Sequence, residues 1–320
     1  MKKPPSLSQL AAVAALLLAA KTNAQVNWEA YNDHRGGVST AANTTVIEMR
    51  GNGVTGTLKN FETGGDLAAT MSVEEEGASD DFGANGAPDI GSPADTFFTG
   101  KCTIGGVGAD GIPGVRNSTL TVIRLRFSNL DPTKRYKFRG TTCRGVSTYI
   151  DRWSIFKIVE ADNSVAAHTI AHVDGNPDGM FTAETNTGAG ILPGEVVLNS
   201  GNNLAGSLVG WDDIDPGADG TFAIEARQYV GTAPFGTPAA GPYGYGLNVM
   251  YLAELSSGGG GGVGTVTSIS GTTGDIKIEW TGPGTLQQSG DLKNWLNLPA
   301  ATSPYHFTGT SPLQYFRLHE

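Results

Sequence analysis

The chain has 320 residues, with 21 Lys and Arg against 31 Asp and Glu, and only two cysteines. A formal charge of −10 argues against general nucleic-acid binding and against broad attraction to anionic membrane surfaces. A low charged fraction of 16% with 46 glycines favours turns over helices and leans towards an all-β exported protein.

Lys2 and Lys3 precede an apolar run from Leu10 to Ala20, and small Ala24 stands directly before Gln25. A charged start, about a dozen apolar residues and a small residue describe a secretory leader over 1–24, whereas a bilayer span needs roughly 20 apolar residues. An uncleaved anchor is the competing reading. No other segment is apolar enough to span a bilayer, so the expected product is secreted or at the cell surface, with no transmembrane segment after cleavage. Losing Lys2, Lys3 and Lys21 leaves 18 cations against 31 acids, or −13.

The acidic, glycine-rich stretch 74–89 offers Asp80, Asp81, Asn85 and Asp89 as calcium ligands, with solvated loop acidity as the alternative. Cys102 and Cys143 are expected to form one disulfide. Closing a loop of about 40 residues would stabilise the fold by about 4 kcal/mol on the chain-entropy model, and two buried thiols are the alternative. Neither cysteine belongs to a C-x-x-C pair, so zinc and thiol redox chemistry gain little support.

Over 118–140, Ile123, Leu125 and Phe127 alternate with Val122, Arg124 and Arg126, the period of a strand with one buried face. Asp131-Pro132 then opens a turn, and Arg135, Lys137 and Arg139 alternate with Tyr136 and Phe138. The pattern predicts a β-hairpin whose outer face carries Arg124, Arg126, Arg135, Lys137 and Arg139 together. Ten of the 18 expected mature cations fall between Arg116 and Lys157, with only Asp131 and Asp151 as acids. Like charges so close need an answer. Either Glu74, Glu75, Glu76 or Glu225 on neighbouring strands supplies it, or an external anionic polysaccharide does, since arginine forks recognise carboxylate and sulfate well.

"TTVIEMRG", "DRWSIFKIVEA", "EVVLNSG" and "YGLNVMYLAEL" also read as strands. His168 and His172 would lie on one strand face about 13 Å apart, too far for one metal. A second hairpin is expected over "LVGWDDIDPGADGTFAIEARQYV", where Asp213, Asp215 and Asp219 are the other candidate calcium ligands and turn chemistry is the alternative. Five histidines and no G-x-S-x-G serine leave no recognisable enzyme.

The runs "FSNLDPTKRYKF", "YIDRWSIFKI", "GWDDIDPGADGTFAI" and "YGLNVMYLAEL" together resemble galactose-binding-like jelly rolls of secreted bacterial proteins, over about 118–255. That resemblance implies a jelly-roll-like β-sandwich over 25–255. Residues 256–264, "SSGGGGGVG", read as a flexible linker. Beyond it, Trp280, Leu286, Gln287, Ser289, Asp291, Leu292, Trp295, Tyr305, Phe316, Arg317 and Leu318 resemble a small C-terminal β module recurring in exported bacterial proteins, over 265–320. The resemblance implies export or surface display and carries over no catalytic residue. Trp280, Trp295, Tyr305 and Phe316 are expected to supply much of that module's core, at about 150–250 Å² each. An aromatic sugar platform at Trp211 or Trp295 is the sharper alternative.

The expected function is therefore an exported, non-catalytic binding or adhesion protein, for carbohydrate at or outside the cell surface. A polysaccharide hydrolase with unrecognised carboxylates and a structural matrix protein are the alternatives.

Overall fold

A computed structural model describes residues 26–319 apart from 84–85, 106–110, 117, 119, 146–148, 172–178, 188, 233–237, 240, 257–264, 273–274, 282–284, 291–294, 299–300 and 309–314. The expected leader, the glycine run, His172, Asn85, Asp291 and Leu292 lie outside the described residues. The chain divides into two compact units, one of them Val26–Ser256 and the other containing Ser257–Glu320.

The larger unit is a β-sandwich. Its strands are β1 (Val26–Asp33), β2 (Thr55–Lys59), β3 (Asp66–Glu76), β4 (Asp80–Gly83), β5 (Gly111–Val115), β6 (Val122–Ser128), β7 (Arg135–Thr141), β8 (Trp153–Val159) and β9 (Asn163–Ala166). They continue as β10 (Met180–Thr182), β11 (Val196–Leu198), β12 (Val209–Asp215), β13 (Phe222–Tyr229), β14 (Gly231–Thr232), β15 (Pro238–Ala239), β16 (Gly244–Tyr245) and β17 (Val249–Leu255). One short helix, α1 (Pro93–Phe98), begins at Ser92, whose hydroxyl accepts from the Asp95 amide. One sheet runs β1-β17-β7-β12-β9 and the other β10-β11-β8-β13-β6-β3-β2, an arrangement compatible with a jelly roll.

Period-two alternation puts one face of each sheet into a shared core. From β6 come Ile123, Leu125 and Phe127, and from β7 come Tyr136 and Phe138, all fully or nearly fully buried. Phe127 and Phe138 meet across the sandwich with ring centroids 5.8 Å apart. The far face of the five-stranded sheet is covered in turn, where Tyr31 and Tyr251 pack with Phe98 of α1.

Neither predicted hairpin forms. β6 pairs with β3 and β13, while β7 pairs with β17 and β12, so the Asp131-Pro132 turn is an arch between the sheets. The Asp215–Thr221 turn is another, carrying the chain from β12 in one sheet to β13 in the other. The two arches touch: the Leu130 amide donates to the Gly220 carbonyl at 3.1 Å. Gly220 has a φ of +66°, and a Cβ there would stand 2.3 Å from the Leu130 carbonyl oxygen, so both backbone conformation and space demand glycine.

"TTVIEMRG" is not a ladder strand. Thr45 makes a single parallel backbone bridge to Asn32, and beyond it side chains take over: the Asn32 amide bonds both the Ile47 N–H and C=O, and the Met49 amide donates to His34 Nδ1 at 2.7 Å. Past Thr45, buried Asn32 and His34 thus take the place of a partner strand.

Cys102 and Cys143 are two free, buried thiols, a correction to the expected bridge. Cys102 packs with Tyr31, Phe98 and Leu208, its Sγ 3.9 Å from the Asn32 carbonyl oxygen. Burial pushes the Cys102 thiol far up and Cys143 up to about 12. Iodoacetamide is therefore expected to label neither cysteine in the folded protein and both after unfolding, because the thiolate is the nucleophile. Mass spectrometry of a Cys102–Cys143 cross-linked peptide would contradict this.

The smaller unit holds β18 (Thr265–Thr272), β19 (Asp275–Thr281), β20 (Thr285–Ser289), β21 (Leu296–Leu298), β22 (Tyr305–Phe307) and β23 (Tyr315–His319), in two three-stranded sheets, β18-β19-β22 and β21-β20-β23. Trp280, Phe316, Ile278, Leu286 and Leu318 form its buried core, with Tyr305 packed against them. Trp295 stands outside that core, and the Arg317 guanidinium lies over its ring at 4.1 Å while donating to Gln287.

Candidate anion-binding site

The five cations expected on one hairpin face are divided between the two sheets. On the seven-stranded sheet, Arg124 bonds Glu76 and reaches Glu225 at 2.8 Å, and Arg126 bonds Glu74 and Glu160. Lys157 takes the other Glu225 oxygen at 2.9 Å. On the five-stranded sheet, Arg135 pairs with Asp215 at 2.8 Å, and Arg139 with Asp212 at 2.8 Å, with Lys137 at 4.0 Å from the same carboxylate. Acidic strands sit in register beside the basic ones: Glu74 and Glu225 both oppose Arg124. The intramolecular answer to the charge cluster is therefore the one these strands provide, and carboxylate bonding raises the Arg126 pKa. Glu75 does other work, accepting from the Gly51 and Ser79 amides.

The calcium candidates likewise have partners. Asp213 and Asp215 face Arg135, Asp215 also accepts from the Gly217 amide, and Asp219 accepts from the amide and hydroxyl of Thr221. Asp80 bonds Arg116, and Asp81 bonds Arg35. Among the described residues no group of three His, Cys, Asp or Glu is arranged to hold a metal ion. Trp211 is 2% exposed, a core residue rather than a sugar platform.

His34 and His168 each accept a backbone N–H on Nδ1, from Met49 and Gly210. Burial lowers their pKa values to about 3 and about 4. The unfolded chain, with histidine near 6.5, binds protons that the folded chain refuses between pH 6.5 and about 4. Stability from this source is complete above pH 6.5 and falls as pH drops through that window. His168→Gln is expected to flatten the decline of the melting temperature between pH 6.5 and 4.5; an unchanged slope would show that His168 titrates alike in both states.

A different cluster lies at the loop between β7 and β8. Gly145 follows Arg144 with a φ of +80°, and a Cβ there would lie 2.3 Å from Gly86 Cα, so glycine is required for the loop to seat. Backbone bonds from Arg144 and Gly145 to the Ser200 and Gly201 carbonyls, each 3.1 Å, hold this loop, and the Gly201 amide returns to the Arg152 carbonyl at 3.0 Å. Beside it the small sheet β16-β5-β4 presents Tyr245 and Phe82, whose rings meet edge to face at 5.7 Å, and Tyr243 stands 4.7 Å from Phe82.

The Arg144 guanidinium carbon lies 4.9 Å from the Phe82 ring, 5.0 Å from Tyr149 and 5.5 Å from Tyr245. Arg152 shares the latter two rings, at 4.0 Å over Tyr149 and 5.9 Å from Tyr245, and donates to the Tyr245 hydroxyl. Arg116 covers Tyr243 at 4.3 Å. Burial raises the Tyr245 pKa, opposed by the Arg152 hydrogen bond and the two arginine charges.

The charge balance is what sets this cluster apart. Arg116 bonds Asp80, and Arg152 has Asp151 only at 3.9 Å. Arg144 is 9% exposed, and its Nε and Nη1 are buried without a hydrogen-bond partner; among the described arginines of this unit, it alone has no carboxylate partner. The Nε groups of Arg116 and Arg152 also lack an acceptor. Leaving a buried donor unmet costs about 1–3 kcal/mol, more for a charged group, and stacking on aromatic faces returns about 0.5–2 kcal/mol. The arrangement sets three guanidinium charges among aromatic rings, of which Tyr245 is fully buried and Phe82, Tyr149 and Tyr243 are half-buried.

Arg116, Arg144 and Arg152 belong to the cation-rich stretch between Arg116 and Lys157, but strand alternation says nothing about loops. A usable signal was present: between Arg139 and Tyr149 there is no Asp or Glu, and the segment mixes Arg, Gly and Tyr. No protein-family model, curated protein or solved structure matches this chain.

Proposed function

We propose that this chain is an exported, non-catalytic protein that binds carbohydrate at or outside the cell surface, through the sandwich unit, with the C-terminal β module as an accessory carried beyond a glycine tether. The observation that carries the reading is the Arg144 cluster: the half-buried rings of Phe82, Tyr149 and Tyr243 beside the guanidiniums of Arg116, Arg144 and Arg152. Aromatic faces suit the apolar faces of sugar rings, and forked donors suit their oxygens. The leader-like start and the resemblance to galactose-binding-like jelly rolls favour the same reading.

The test is a panel of immobilised neutral and acidic polysaccharides probed with the full chain. Retention without release of reducing ends is expected. Release of reducing ends would replace this reading with a hydrolase, and absence of retention across the panel, with the protein found in the cell envelope, would replace it with a structural role.

A further inference from the structure

We infer that the cavity at one end of the sandwich, between Trp28 and Glu254, takes the ammonium group of an amino sugar: Glu254 answers the charge while the Trp28 ring lies against the sugar. The inference rests on the carbohydrate-binding reading above and adds a second point of contact with its own chemistry.

The site is one rung across three strands. Trp28 of β1 opposes Glu254 of β17, which in turn opposes Tyr136 of β7. The next residues on that face, Ala30, Leu252 and Phe138, lie in the shared core, so alternation directs Glu254 between the sheets, where an apolar residue is the rule. Its carboxylate accepts from the Asn27 amide at 3.0 Å and the Tyr136 hydroxyl at 3.1 Å, neither of them charged. Among the described residues no lysine or arginine pairs with it. A carboxylate offers about four acceptor positions, so roughly two are left. A β-bulge at Asn27 sets the rung, because the register shifts between Val26 and Trp28. Without the extra residue Asn27 would oppose Glu254, and Trp28 would turn to the other face of the sheet.

The rung faces a cavity of about 270 Å³. Small-ligand pockets begin near about 300 Å³, so the space suits one sugar residue. Tyr136 and Ala69 line it as buried residues, Trp28 and Glu254 are half-buried, and Asn129 and Asp131 of the arch are exposed, so the cavity opens to solvent. No cation lines it. An organic cation supplies what is missing: an ammonium donates to the spare carboxylate positions, and indole is the ring that attracts a cation best. A net charge of −10 favours a ligand of the same sign. A neutral hexose would stack on Trp28 but leave the carboxylate charge unanswered.

The experiment titrates the full chain by calorimetry with glucosamine, N-acetylglucosamine and glucose, at a pH where the free amine is protonated. A hydrogen bond between charged partners is worth about 1.5–3 kcal/mol, so glucosamine is expected to bind about tenfold or more tighter than the two neutral sugars. Glu254→Gln keeps an acceptor for the Tyr136 hydroxyl and removes the charge. It should abolish the preference for glucosamine while leaving the melting temperature close to that of the parent.

Because a Glu254 variant can fail to fold, a second measurement uses the unaltered protein. Glucosamine should shift the Trp28 indole Nε1–Hε1 resonance in ¹⁵N NMR, with an affinity that weakens as salt rises, and N-acetylglucosamine at the same concentration should not. Equal binding of the three sugars, unaffected in folded Glu254→Gln, overturns this inference and leaves carbohydrate binding standing. Retention on immobilised polysaccharide with no response to glucosamine does the same. No response to any sugar, together with no retention on any polysaccharide, overturns both.

Discussion

Phe127→Ala is expected to destabilise the sandwich by about 3–5 kcal/mol, the range for removing a buried aromatic side chain. Phe127 has no exposure and spans the core, with its ring 5.1 Å from Phe222 in its own sheet and 5.8 Å from Phe138 in the other. Truncation removes the transfer energy of the ring and leaves a void between two sheets that β-ladders hold apart, so collapse recovers little of the loss. In a unit of this size each kcal/mol moves the melting temperature by about 2–4 °C, so a fall of roughly 10 °C should be visible by calorimetry. Val165→Ala, on edge strand β9 at 53% exposure, is the control and should change stability by less than about 0.5 kcal/mol. A Phe127 variant that melted with the control would mean that the two sheets do not share one core.

The second large effect is electrostatic. Glu225 is 5% exposed, and its two oxygens serve Arg124 at 2.8 Å and Lys157 at 2.9 Å. Glu225→Ala removes the carboxylate from Lys157 and leaves Arg124 with Glu76 alone. Removing one member of a buried ionic set costs about 3–5 kcal/mol, but Arg124 and Lys157 keep side-chain exposures of 27% and 32%, and water screens part of the loss. About 2–3 kcal/mol is expected, read from urea unfolding with the slope unchanged. A double-mutant cycle of Glu225→Ala with Arg124→Ala should return a coupling of about 1–3 kcal/mol. Additive single effects would show that the ladder is geometry without energy.

That ladder also explains which parts of the structure were legible in the sequence. Alternation identified β6, β7 and β13 with Ile123, Leu125, Phe127, Tyr136, Phe138, Phe222 and Ile224 facing the core, while β8, β12 and β17 were legible only as strands, the first and last being buried on both faces over much of their length. It carries no information about partners. An Asp-Pro turn between two alternating runs is equally compatible with a hairpin and with an arch, and both such turns here are arches. The charges contained the missing clue. Arg124 and Arg126 paired against Arg135, Lys137 and Arg139 would set like charges side by side, a cost that β-pairing avoids. The fold avoids it by sending the two basic strands to different sheets and flanking β6 with Glu74 and Glu225 and β7 with Asp212 and Asp215. Repulsion was therefore evidence about topology before it was evidence about a ligand.

The Arg144 cluster was illegible for a different reason. Its members come from β4, from the end of β5, from the loop between β7 and β8, and from β16, so they span Phe82 to Tyr245 in the chain. No spacing rule joins residues brought together by backbone packing such as Gly145 on Gly86.

The placement of β17 governs the order in which this molecule can be assembled. β1 has a single partner strand, β17, and β17 fills the gap between β1 and β7. Asn32 opposes Met250, so beyond its local bonds to Thr45, Ile47, Met49 and Phe61 the first strand of the sandwich makes no ladder until nearly the whole unit has been synthesised. Such distant pairings make for slow closure, on the order of milliseconds to seconds for β-rich domains. Until Val249–Leu255 arrives, β7 is an unprotected sheet edge with half its ladder unmade. A chain cut short before Val249 would thus be sticky rather than merely incomplete, and aggregation rather than partial folding is its expected fate.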